Sequence, residues 1–201
     1  MEDSDILRAV YVTGLSGAES SIESVSRVVG GDLETVWGRL EEAEKEGYVE
    51  KKGSAVSLTP KGRKELAVVM IGGAFEIIHP GHIHTISEAR RYGDTLVVVV
   101  AADKTVQKNK GREPVTPQEW RVKLIGSLRD VDLSLAGGQG SIYETLEKVR
   151  PDVVALGYDQ KHNPKEIEDE AAKRGLRVKV VRLTSPIPSV KTSKIVSELG
   201  V

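Results

Sequence analysis

Gly72-Gly73-Ala74-Phe75-Glu76-Ile77-Ile78-His79-Pro80-Gly81-His82 follows an uninterrupted apolar run over 67–71. A short aliphatic run closed by two glycines reads as a buried parallel strand. The residues after the loop read as a helix over 81–92. The loop therefore delivers a helix start to the carboxyl end of a strand, where unpaired N–H groups and a partial positive charge favour an anion. Gly81 removes a side chain where a phosphate must approach the backbone. His79 and His82 flank that helix start, and two imidazoles there can donate hydrogen bonds to a phosphate whose charge grows during displacement.

Working outward, strands and helices alternate through the rest of the chain. Further strands are expected over 95–102, 152–156 and 178–183, with helices over 117–128, 142–149, 164–174 and 192–199. Repeated β-α units predict an α/β fold, a doubly wound parallel sheet covered on both faces, with ligands outside the carboxyl ends of its strands. The Lys104 to Arg112 run reads as a solvated basic loop, and Gly137-Gly138-Gln139-Gly140 as a turn.

Upstream the pattern changes. Residues 1–66 carry 9 basic and 13 acidic side chains, a net −4, whereas 67–201 carry 20 and 17, a net +3. Apolar residues fall at helical spacing at Ile6, Leu7, Val10 and Tyr11, again at Ile22, Val25, Val28 and Val29, and again at Leu33, Val36, Trp37, Leu40 and Ala43, with Asp32 as N-cap. Two short alternating segments over 48–51 and 55–58 follow, joined by a turn at Lys52-Gly53-Ser54. This order of three helices and a hairpin resembles a winged helix-turn-helix domain over 1–66. Its third helix holds Asp32, Glu34, Glu41, Glu42, Glu44 and Glu46 against Arg39 and Lys45, a surface that repels a phosphate backbone. Dimerisation or partner docking is the expected role, ahead of DNA binding, and a homodimer the expected assembly.

The chain has 201 residues, no cysteine, a net charge of −1 and only 4% aromatic residues, so its core must be aliphatic. Disulfides, thiolate metal sites and a cysteine nucleophile are excluded. No apolar run reaches the ~18 residues of a membrane span, and the acidic start is unlike a signal peptide, so a cytoplasmic protein without membrane partners is expected. No resident metal site is expected either. His82 and His84 are two apart within a helix and do not share a face, which leaves His84 as a packing or surface residue. His162 reads as solvated.

The 72–82 motif resembles the His-x-Gly-His nucleotidyltransferase superfamily. Gly93-Asp94-Thr95-Leu96-Val97-Val98-Val99, the 103–112 segment with Pro114, Pro117 and Arg121, and Thr192-Ser193-Lys194-Ile195 are similar to its cytidylyltransferase-like branch. Pro151-Asp152-Val153-Val154-Ala155-Leu156-Gly157-Tyr158-Asp159-Gln160 is similar to archaeal FAD synthetases in particular. The resemblance covers 67–201 and implies a Rossmann-like nucleotidyltransferase domain that joins FMN to the α-phosphorus of ATP, with Mg2+ accompanying the nucleotide. It implies His79 and His82 at the transition state, Lys108 and Lys110 neutralising phosphates from a mobile loop, and Arg121 helping from the next helix. It also implies nucleotide contacts at Gly73, Ala74, Phe75, Pro80, Gly81 and Asp159, and at Lys191, Thr192 and Ser193 for the leaving phosphates. Two positions depart from the family's usual Gly-Thr-Phe-Asp: Ala74 has no hydroxyl, and Glu76 reaches one methylene further than Asp. The alternatives are a CTP-dependent cytidylyltransferase acting on glycerol 3-phosphate or a similar phosphorylated alcohol, and a nucleotide- or flavin-sensing DNA-binding regulator without catalysis.

Overall fold

The structure is a computed structural model that describes residues 3–17, 20–184 and 192–199. The chain divides into two compact units, Met1–Ala67 and Val68–Val201.

In the first unit, α1 (Asp3–Ser16), α2 (Ile22–Val29) and α3 (Leu33–Lys45) precede a hairpin of β1 (Val49–Lys52) and β2 (Ala55–Leu58), closed by the short α4 (Pro60–Lys64). Local chemistry sets these boundaries. Ser21 caps α2 through the Ser24 amide, Gly30 ends it in the left-handed region at φ 74°, and the Asp32 carboxylate takes the Thr35 amide at 2.9 Å to start α3. Ile6, Val10, Val25, Val36, Leu40, Val49 and Val56 are buried. They lie at the helical and alternating spacings that the sequence displays.

The second unit runs β3 (Val68–Gly73), α5 (Pro80–Arg90), β4 (Thr95–Val100), α6 (Asp103–Lys110), α7 (Gln118–Gly126), β5 (Leu133–Ala136), α8 (Ile142–Val149), β6 (Val153–Leu156), α9 (Pro164–Lys173), β7 (Lys179–Arg182) and α10 (Thr192–Leu199). Five parallel strands lie in the order β5-β4-β3-β6-β7. The chain leaves central β3 for β4 on one side and later returns to β6 on the other. That reversal makes the carboxyl ends of β3 and β6 the switch point of the sheet, where such folds take their ligands. Val69, Ile71, Leu96, Val98, Ala155, Ile86 and Ala89 form an aliphatic core beneath it.

One sequence expectation is corrected here, and one strand is added to those expected. Residues 103–110 are a helix, not a loop: Val106 alone is buried on it, so its other positions are free to be charged, and Gly111 caps it at φ 70°. Strand β5 escapes the sequence reading because it is four residues long, half-exposed, and carries Ser134 between its leucines. Among the described residues, no helix is long and apolar enough to cross a membrane.

Candidate active site

The site begins with a steric condition at the end of β3. A Cβ on Gly73 would sit 2.9 Å from the Phe75 ring. Phe75 itself adopts φ 48°, a left-handed backbone that bulky residues rarely take. The strained turn drives the Phe75 ring into the core, where it lies 5.3 Å from the His82 ring at an interplanar angle of 59°. Gly73 and Phe75 thus shape the loop rather than presenting side chains to a ligand.

His79 is the N-cap of α5, with Pro80 at the first helical position, and its side chain makes no capping bond. The His82 amide donates to the His79 carbonyl at 2.9 Å, which folds the helix start back and stacks the two rings at 3.8 Å between centroids. Both Nδ1 atoms are buried and lack a hydrogen-bond partner. Buried polar atoms without partners are uncommon, and at a helix start they suit an anion not present in the structure. Burial, the neighbouring His79 ring and Lys110 push His82 down to about 4, with the Ile77 backbone and Asp159 only partly offsetting them; burial lowers His79 as well. At neutral pH both rings are uncharged, each with one N–H to donate and one lone pair.

Glu76 lies on the same loop with its side chain wholly buried. It receives Lys110 Nζ at 2.6 Å, Arg112 Nη1 at 2.6 Å and Nη2 at 3.2 Å, and the Val115 amide at 2.8 Å. Burial alone would raise its carboxyl, but the Arg112 and Lys110 bonds and the Val115 amide reverse this and hold it at about 2. The residue that departs from the family pattern therefore ties the end of α6 and the 112–115 segment to the histidine loop. Lys108 is exposed on α6.

Arg121 differs from expectation. It is 1% exposed and spends its guanidinium on the carbonyls of Thr116, Ala74 and Ala101 and on Asp103 Oδ1. A side chain closed to solvent and bonded in four directions is a brace beneath the loop, not a cation open to phosphate. Ala74 is reached through its carbonyl, which this brace occupies.

Just past the end of β6, Gln160 follows Gly157-Tyr158-Asp159. Its amide nitrogen donates to the Gly72 carbonyl at 2.6 Å and its amide oxygen accepts from Gly157 at 3.1 Å, bridging the ends of β3 and β6. Arg182 steadies the same loop through the carbonyls of Gly157, Gln160 and His162. Asp159 is exposed beside it and close enough to act on His82. Thr192 is 9% exposed at the start of α10; Lys191 and the Ser193 side chain lie outside the described residues. His84 faces away from the pair and meets Glu88 at 3.2 Å. The glycines at 137–140 hold no anion cradle, because the Glu144 carboxylate packs against Gly140. Among the described residues no group of three or more His, Asp or Glu could hold a metal ion.

A neutral histidine pair at a helix start, on a strained loop at the sheet's switch point, can receive a phosphate and donate to charge growing on it. Residues 70–198 match the family described as Cytidylyltransferase-like. The chain belongs to that family and is a nucleotidyltransferase. It is 50% identical over 115 residues to an FAD synthase of Aciduliprofundum boonei, covering 57% of this chain and 76% of the relative. It is 41% identical over 140 residues to an FAD synthase of Thermococcus onnurineus, covering 68% of this chain and 93% of the relative. The crystal structure of a lipopolysaccharide core biosynthesis protein from Thermoplasma volcanium superposes with a TM-score of 0.57 at 41% identity, over 60% of this chain and 98% of that one.

Proposed function

We propose that the chain is an FAD synthase: a phosphate oxygen of FMN attacks the α-phosphorus of ATP, the bond to the β-phosphate breaks, and pyrophosphate leaves. The observation that carries this reading is the stacked histidine pair at the α5 start, whose two Nδ1 atoms are buried without a hydrogen-bond partner, in a chain so similar to FAD synthases. His79 and His82 donate to the α-phosphate as charge builds on it. Lys108 and Lys110 neutralise the β- and γ-phosphates, and Gly81 lets them approach the helix start. Asp159 meets the base or ribose, and Lys191, Thr192 and Ser193 receive the leaving pyrophosphate. Catalysis is then positioning and charge neutralisation of an in-line displacement, without a covalent enzyme intermediate. Magnesium fits this site as part of the nucleotide substrate, since phosphates supply most of its ligands in such chemistry.

Incubation with FMN or glycerol 3-phosphate, each with ATP or CTP, tests the assignment. FAD and pyrophosphate should form only from FMN with ATP; pyrophosphate from CTP and glycerol 3-phosphate alone would replace this reading with a cytidylyltransferase.

The first unit is assigned as a winged helix-turn-helix module that docks protein, including a second copy of the chain in a homodimer, in preference to DNA. The exposed face of α3 carries Glu34, Glu41 and Glu44 around Trp37, which is 48% exposed, with Lys51 from the hairpin laid over the ring and paired with Glu44.

A further inference from the structure

We infer that Glu76 is a positioning residue for the nucleotide's phosphates: it fixes a cationic arm, 110–115, beside the histidine pair before the nucleotide arrives. The inference rests on the FAD synthase reading for the identity of the nucleotide. It goes beyond that reading by assigning a role to a carboxylate that, standing near a triphosphate, would by charge alone oppose binding.

Three features carry it. Glu76 is buried to the side-chain tip, and the donors that reach its carboxylate come from one stretch of the chain, the end of α6 and the segment after it. Its partners are long cationic side chains that remain partly open, Lys110 at 28% and Arg112 at 32% side-chain exposure, so each keeps N–H groups available to a ligand. The third contact is a backbone amide, Val115, which pins the main chain as well as the side chains. Lys110 so held is near enough to influence His82.

A lysine on a flexible stem and an arginine fork lose much rotamer freedom when they close on phosphate. Glu76 imposes that loss at folding instead, so the arm meets the ligand already ordered. Against this stands the repulsion of one carboxylate, which two adjacent cations outnumber and the open rim screens. The net effect is that removing Glu76 weakens nucleotide binding, although the substitution makes the site more positive.

The test is ATP binding by calorimetry to the full-length protein and to Glu76→Gln, with Lys110→Ala/Arg112→Ala as a second background. Glu76→Gln should bind ATP at least tenfold more weakly in the wild-type background and within twofold of its parent in the double-alanine background. Unchanged or tighter ATP binding in a folded Glu76→Gln protein overturns the inference, as does an equal loss in both backgrounds, or no ATP binding by the wild type. Should Glu76→Gln not fold, Glu76→Asp keeps the charge and shortens the reach. A loss of threefold or more at near wild-type Tm then supports positioning, and an unchanged affinity refutes it. Failure of the wild type to make FAD from FMN, with the ATP results as expected, would overturn the FAD synthase reading and leave this one standing.

Discussion

His82 is a half-buried imidazole whose value to the protein is set by what it lacks: a partner for its buried Nδ1 and a proton at neutral pH. Replacing it with alanine should reduce turnover by about 100-fold or more, since one preorganised donor at a developing charge contributes ~3–4 kcal/mol. The thermal midpoint should stay near wild type, and an equal fall in Tm would identify a packing role instead. Its depressed pKa also makes a stability statement. The folded value of about 4 lies below the unfolded 6.5, so the contribution is complete above pH 6.5 and is lost as pH falls through 4. The scale is about 3 kcal/mol at most. Glu76, held at about 2 against an ordinary 4.5, has the same sign over a lower window: full above pH 4.5 and lost toward pH 2. Denaturant titrations across pH 2–7 should therefore show two acid limbs, and Glu76→Gln should flatten the lower one. ATP binding near pH 5 should take up protons as the triphosphate raises His82, a quantity read by calorimetry in buffers of different ionisation heat.

Among the elements, the loop between β3 and α5 is the most demanding. Gly73→Ala places a methyl group against the Phe75 ring at 2.9 Å, and an aromatic ring locked in the core has little room to move. The expected cost is about 1–3 kcal/mol in chemical denaturation, with turnover falling alongside as the histidine stack shifts. Arg121→Leu should cost about 3 kcal/mol or more, because it orphans three carbonyls and Asp103, and Arg121→Lys should not restore it. These elements also show what the sequence can convey. Strands β3 and β4 were legible because burial on both faces leaves only aliphatic residues, and the histidine loop because glycines and imidazoles have few other reasons to stand together. Helix α6 and strand β5 were not, because one is anchored by a single valine and the other lies at a sheet edge. Arg121 is opaque for a related reason: sequence shows that a residue is cationic but not that carbonyls surround it. Gln160 carried no signal beyond its place after Gly157-Tyr158-Asp159.

For the whole molecule, the two units make opposite electrostatic demands. The net −4 of residues 1–66 and the acidic α3 face predict duplex binding no tighter than the ~10⁻⁴–10⁻⁶ M of non-specific contacts at physiological salt. Glu41→Lys with Glu44→Lys in the full-length chain should strengthen it and steepen its salt dependence, as read by fluorescence anisotropy. Tight, sequence-selective binding by the wild type would overturn the docking assignment. In the second unit, the Gln160 amide spans the ends of β3 and β6, so the trough between the two strand ends has a solid bottom. A strap of this kind holds the two strand ends at a fixed spacing, so Gln160→Ala should loosen the β3–β6 seam, read as faster amide hydrogen exchange at Gly157.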